Sequence, residues 1–245
     1  MAATSERQSI NAYVEDLRNR KHRGIHRGLA AGVVRKLSSW ETRQAAKLHG
    51  TTLLYPLEKR KAKRIVEETP HGELQLNLGS GPYRLDGWLN VDIVGMRPDL
   101  HWDLRRALPF PDSSAKAVFL EHVLEHIPLA GVMYVLSEAR RVLRPGGVIR
   151  VGVPDLGRYM KSYAGDQSFL NELRPGRPTA LLAVAEVAQF HGHVSAWDDE
   201  TLVAVLEAAG FQDVENRAWG ESRLDPAPDT ELRRAESVYA EGIAP

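Results

Sequence analysis

The 245-residue chain is 43% hydrophobic and 26% charged, with a formal net charge of zero, so it can bury a sizeable core and has no bulk charge committing it to nucleic acid or a membrane surface. It contains no cysteine, which excludes disulfides, thiolate metal sites and a cysteine nucleophile. No apolar run reaches the ~18 residues of a membrane span and the opening MAATSERQSINAYVEDL lacks the apolar core of a signal peptide, so the expectation is a cytoplasmic protein.

Charge is unevenly spread. Residues 1–70 hold 15 Lys+Arg against 7 Asp+Glu, which leaves 17 against 25 of the chain's 32 and 32 for the rest. A basic segment of this kind attracts the acidic body, forms a solvated helix face, or meets an anionic partner. Residues 8–50 read as helical, with Ile10, Tyr13, Val14 and Leu17 at i, i+3, i+4, i+7. Gly50 is the expected stop, and a second short helix is expected over 58–70, ending near Pro70.

From Leu74 the pattern changes to short apolar runs. Strands are expected in ELQLNL (73–78), WLNVDI (88–93), LHWDL (100–104) and AKAVFLEHV (115–123). AGVMYVLSEARRVL (130–143) reads as an amphipathic helix stopped by RPGG, followed by a strand in VIRVGVPD (148–155). Residues 156–190 read as helix and loop. DDETLVAVLEAAG (198–210) has an acidic start and a terminal glycine, a well-signalled helix. Two last strands are expected in FQDVENRAWG (211–220) and ESVYAEGI (236–243). Strands alternating with helices imply an α/β, doubly wound, mostly parallel sheet. The expected division is a basic helical extension over 1–70 and an α/β domain over 71–245.

In such sheets ligands meet the residues just after the strands. Those residues are Asn77 and Gly79-Ser80-Gly81, then Asp92, then Asp103-Leu104, then Glu121-His122, with Glu125-His126 one helical turn on. The glycines permit positive φ and close backbone approach to a ligand, or form only a tight turn. The sequence is neither GxGxxG nor a P-loop, since Pro82, Tyr83 and Arg84 follow. Asp92 can accept from both hydroxyls of a ribose, and Asp103 from an adenine amino group. Alone, each is equally a surface carboxylate.

Together, LNLGSG, WLNVDI, DLRRALPFPDSSAKAVFLEHVLEHIP and EARRVLRPGGVIRVGVPD resemble the class I S-adenosylmethionine-dependent methyltransferases of the small-molecule type, over residues 74–155. VLEHIP and RVLRPGG are the most specific pieces, and HGHVSAWDDETLVAVLEAAGFQDVE is similar to the tail of the same family. The resemblance implies a seven-stranded Rossmann-like sheet and S-adenosylmethionine as cofactor. It places Gly79, Ser80 and Gly81 against the methionine part, Asp92 on the ribose, Ile93 on the adenine, Asp103 and Leu104 at the adenine edge, and Glu121 near the sulfonium. The sequence departs from the family pattern in two places. Asn77 stands where an acidic residue is usual, leaving amine recognition to backbone or water. The first crossover, Gly81 to Trp88, is too short for a full helix.

Methyl transfer to a hydroxyl needs alignment and removal of a proton, for which histidine is suited. His122, His126, His191 and His193 are the candidates, each equally readable as a satisfied structural ring. Related sugar methyltransferases use a divalent ion such as Mg²⁺. Glu121, Asp155, His191 and His193 could supply ligands, and none is assigned. Asp155, Arg158, Tyr159, Tyr163, Trp88 and Trp197 are candidates to meet an acceptor, Trp88 more readily a core residue. The resemblance points to a saccharide hydroxyl, a mannoside above all, in polysaccharide or glycoside synthesis. Two other readings are a nucleic-acid methyltransferase or binding protein using the basic arm, and a non-catalytic interaction module. Against the former, strand four lacks an NPPY- or DPPY-type motif, so no nucleic-acid partner is expected. The N-terminal helices are expected to cap the cleft or form a homodimer contact.

Overall fold

The computed structural model describes residues 9–22, 40–93 and 98–245. The helix expected across 23–39 lies outside them. Helix α1 spans Ile10–His22. Its Tyr13 is buried, with the hydroxyl donating to Glu186 Oε1 at 2.9 Å.

Helix α2 spans Trp40–Glu68 and runs through both Gly50 and Pro56, where the sequence predicts a break. An interior glycine costs about 1 kcal/mol and a proline about 3 kcal/mol. Tertiary packing offsets them. Tyr55 and Ala62 are buried in the main core, Tyr55 stacks 4.7 Å from Trp102, and Glu58 Oε2 accepts from the His101 amide at 3.1 Å.

The sheet contains β1 Leu74–Leu78, β2 Leu89–Asp92, β3 Leu100–His101, β4 Ala115–Glu121, β5 Leu143–Pro154, β6 Gln212–Arg217 and β7 Ser237–Ile243. Their order is β3-β2-β1-β4-β5-β7-β6. The first five strands are parallel, and β7 runs antiparallel between β5 and β6. The order reverses between β1 and β4, which opens a crevice at their carboxyl ends. β3 is shorter than LHWDL suggests, because Trp102 turns into the core and gives its amide to Asp92 O at 3.1 Å.

Helix α3, Leu129–Val142, buries Val132, Val135, Leu136, Ala139 and Val142 on one face. β5 follows it at once, so RPGG is part of the strand rather than a loop. The end of β7 supplies its ladder partners: Gly146 N donates to Ala244 O and Ala244 N to Gly147 O, both at 2.9 Å. Beyond β5, α4 (Leu156–Ala164), α5 (Ser168–Leu173) and α6 (Ala180–Gln189) enclose a small second core of Tyr159, Leu170, Ala183 and Val187. Helix α7, Asp199–Ala208, is capped by Asp198, which accepts from the Thr201 amide at 2.9 Å.

Arg150 lies in the middle of β5 and is fully buried. Its guanidinium pairs with Asp229 and, at 2.9 Å, with Glu241, and donates to Glu221 O at 2.9 Å and Ala218 O at 3.2 Å. One buried cation thereby fixes the connection from β6 to β7. Replacing it strands two buried carboxylates. Arg150→Ala is expected to lower unfolding free energy by about 3–5 kcal/mol, seen as a shift of the denaturant midpoint at unchanged slope. A loss below about 1 kcal/mol, the worth of an exposed pair, would contradict this account.

Candidate active site

The end of β1 turns sharply under β2. Gly79 N and Ser80 N both donate to Val91 O, at 2.7 and 3.2 Å, and Gly81 N donates to Asp92 Oδ2 at 2.8 Å. Gly79 has φ +78°, and a Cβ there would stand 2.3 Å from Val123 Cγ2. Gly81 has φ +52°, and a Cβ there would meet nothing within 4 Å. The first glycine is demanded by packing, while the second faces open space. Ser80 Oγ is buried and has no hydrogen-bond partner among the described residues. A buried hydroxyl without a partner is costly. It fits a polar ligand group laid along this loop.

Asn77 explains the short crossover. Its Nδ2 donates to Tyr83 O at 3.2 Å and to Asn90 Oδ1 at 2.9 Å. Asn90 in turn accepts from Leu85 N and donates to Leu85 O, Trp88 O and Asp99 Oδ2. Asp99 closes the chain on Arg84 at 2.7 Å. The loop after Gly81 is therefore held by two buried asparagines, without a crossover helix. An acidic residue at position 77 could not donate these bonds.

A cleft of about 90 Å³ lies between this loop and the end of β4. Asn77, Gly79, Ser80, Gly81, Glu121 and His122 all line it. Asp92 joins it through Gly81. Ile93 is half-buried. Asp103 and Leu104 are off the lining, and Asp103 is clamped by Arg105 Nε at 2.9 Å and Nη2 at 2.8 Å. Burial pushes the Asp103 pKa up, but the Arg105 bonds outweigh this and hold it low. Sequence reasoning missed Thr230 and Arg233, which close the far wall. They come from the β6–β7 connection, which has no periodic signal.

Glu121 accepts from Thr230 N at 3.0 Å, Thr230 Oγ1 at 2.6 Å and Tyr239 OH at 2.7 Å. Burial still pushes its pKa up. His122 adopts φ +54°, an uncommon conformation for a side-chain-bearing residue that tends to mark functional positions. Its Nε2 lies 2.7 Å from Ser237 Oγ, and its Nδ1 lies 3.4 Å from Glu125 Oε1. Burial, aided by Arg233, depresses the ring's pKa to about 3.

Glu125 sits on the single turn Leu124–His126. It is 1% exposed, and neither carboxyl oxygen has a hydrogen-bond partner among the described residues. Three imidazoles surround Oε1: His122 at 3.4 Å, His126 at 3.9 Å and His193 at 4.0 Å. Burial pushes the carboxyl up to about 8 and pulls His193 down to about 4. At neutral pH this is a neutral acid among neutral rings and not a set of salt bridges. His191, at φ +65°, stands beside His193 with ring centres 6.1 Å apart. The four histidines are thus neighbours, but of the four only His122 lines the cleft.

Other expectations find structural roles. Asp155 caps α4, accepting from Arg158 N at 2.8 Å. Trp197 and Tyr159 are buried in the two cores rather than open to an acceptor, Tyr163 is exposed, and Trp88 meets Phe119 edge-on at 6.3 Å.

The family model described as a methyltransferase domain matches residues 95–151, from the approach to β3 into β5. By that match the stretch is similar to a methyltransferase domain, over 57 of the chain's 245 residues. No curated protein matches it. Among solved structures, it is similar to a chain of the complex between the Haloferax volcanii Trm112 methyltransferase activator and a methyltransferase (17% identity, 82% of this chain, 95% of that one, TM-score 0.47). It is also similar to a SAM-dependent methyltransferase from Archaeoglobus fulgidus (16%, 77% and 93%, TM-score 0.43) and another from Mesorhizobium loti (17%, 75% and 97%, TM-score 0.42). No helix among the described residues is long and apolar enough to cross a membrane.

The two loop glycines separate experimentally. Gly81→Ala is expected to cost only the ~1–2 kcal/mol of a left-handed alanine while weakening S-adenosylhomocysteine binding. Gly79→Ala adds an overpacking cost of about 1–3 kcal/mol against Val123. Chemical denaturation and ligand titration of both variants measure the difference, and equal stability losses would contradict the contact with Val123.

Proposed function

We propose that the domain transfers the methyl group of S-adenosylmethionine to a hydroxyl of a small molecule, best a saccharide of the mannoside type, and that the cleft between β1 and β4 is where it does so. The observation that carries the reading is Glu121-His122, facing the glycine loop across the cleft. When bound, the cofactor supplies a methyl group on a sulfonium, open to direct displacement by an oxygen nucleophile.

The chain's residues divide the remaining work. Gly79, Ser80 and Gly81 hold the amino-acid part, with the orphan Ser80 hydroxyl as a polar contact. Asp92, which anchors Gly81, takes the ribose. Asn77 shapes the loop. Ile93, Asp103 and Leu104 are assigned to the adenine end. Glu121 and Arg233 orient acceptor hydroxyls, and Tyr83, exposed at the cleft, offers a ring face to a sugar.

His122 is assigned the proton. Its ring lines the cleft with Nε2 2.7 Å from Ser237 Oγ, and the acceptor's proton passes to the ring only when Nε2 exchanges that bond for one to the acceptor hydroxyl, as the oxygen–methyl bond forms and the sulfur–methyl bond breaks. With a pKa of about 3 the imidazole is always in its accepting form and is a weak base, so most of its contribution is orientation. His126, His191 and His193 do not line the cleft, and the role is given to His122. The basic N-terminal segment is assigned as a cap, consistent with α1 packing on α6 through Tyr13.

Calorimetric titration tests the cofactor side. Asp92→Ala is expected to weaken S-adenosylhomocysteine binding at least tenfold, about 1.4 kcal/mol, and unchanged affinity would remove Asp92 from the site. Transfer of labelled methyl to glycosides, amines and RNA in parallel tests the acceptor. Label in glycosides, reduced in His122→Asn, is the expected result, and label in amines or RNA alone would overturn the hydroxyl assignment.

A further inference from the structure

The neutral cluster beside the cleft is built like an ion site. Glu125, His126 and His193 each offer a ligand atom, and these atoms lie within 4.8 Å of one another, with both Nε2 atoms near Glu125 Oε1, at 3.9 and 4.0 Å. Donors bound tetrahedrally at 2.0–2.1 Å are about 3.3 Å apart, so each nitrogen closes on the oxygen by about 0.6–0.7 Å and the two nitrogens on each other by at most about 1.5 Å. The carboxyl of Glu125 is buried, and its two oxygens accept nothing among the described residues. A buried polar group without partners is expensive, and a cation between it and the imidazoles would supply what is lacking.

The supporting shell is in place. His193 Nδ1 lies 2.6 Å from Val187 O. Carbonyl bonds of this kind fix ring orientation and leave the far nitrogen as a lone-pair donor. The loop carrying His193 is tied to Glu125 itself, since Val194 N and Ser195 N both donate to Glu125 O, at 2.8 and 3.2 Å. A void of about 10 Å³ touches Glu125, His193 and Ser195 and is otherwise walled by apolar residues such as Leu156, Val187 and Trp197. That is room for about one water-sized particle. His126 is partly exposed, which gives an entry path.

We propose that Glu125, His126 and His193 bind a single divalent transition-metal ion of the Zn²⁺ class. Two imidazoles and one carboxylate suit such an ion, whereas Mg²⁺ prefers all-oxygen shells and keeps its waters. His122, whose Nδ1 faces the same carboxyl oxygen, links the ion to the cleft wall. The site does not depend on the identity of the methyl acceptor.

The test is titration of the full chain, stripped with chelator, with ZnCl₂ by calorimetry, and with CoCl₂ by visible absorption. S-adenosylhomocysteine affinity, measured in parallel, reports that each variant is folded. One Zn²⁺ per chain, at least tenfold weaker in Glu125→Gln and in His193→Ala, with a tetrahedral Co²⁺ band and no competition from MgCl₂, is the expected result. His126→Ala removes a half-exposed ligand and serves if the buried variants fail to fold. Absence of Zn²⁺ binding, or binding that His126→Ala leaves unchanged, overturns the proposal. It would do so whether or not the cofactor binds.

Discussion

The buried guanidinium of Arg150 is the constraint on which the cleft depends. A single arginine on the central part of β5 meets Asp229, Glu241 and two carbonyls of the β6–β7 connection. Burying so many polar groups is tolerable only because they satisfy one another. Asp229 is followed at once by Thr230, whose backbone and side chain both bind Glu121. The far wall of the cleft is thus placed by a charge network in the sheet rather than by apolar packing of a helix. Tyr239 belongs to both systems, as its ring lies 4.9 Å from the Arg150 guanidinium and its hydroxyl bonds Glu121.

On the other side of the cleft the order of causes is different. The glycine loop is placed by backbone bonds to β2 and by the Asp92 carboxylate, and Gly79 is pressed against Val123 at the end of β4. Here the sheet's register does most of the positioning. Parallel pairing of Asn77 with Asn90 brings the two asparagines side by side, and their amides hold the crossover.

Much of this was legible in the sequence because it is local. Short apolar runs gave the strands, and the residues after β1, β2 and β4 gave the glycine loop, Asp92 and Glu121-His122. Asp198 announced the start of α7. What was not legible depends on distant partners. Arg150 alternates with apolar neighbours and reads as the solvent side of a strand, yet its carboxylates lie 79 and 91 residues further on. Glu125 looks like any helix-start acid until the loop at His193 folds over it. Gly50 and Pro56 carry breaker signals that packing of Tyr55 and Ala62 overrides. Trp197 looks like a stacking surface but is a core residue, because the sequence gives its type and not its depth.

The string from Asn77 through Asn90 and Asp99 to Arg84 bears on how the cleft discriminates. A loop whose backbone is already held by its own scaffold has little conformational entropy left to surrender when a guest arrives. Such a wall does not mould itself around what it receives. It admits or refuses by shape, and tolerance for varied guests has to come from the opposite wall.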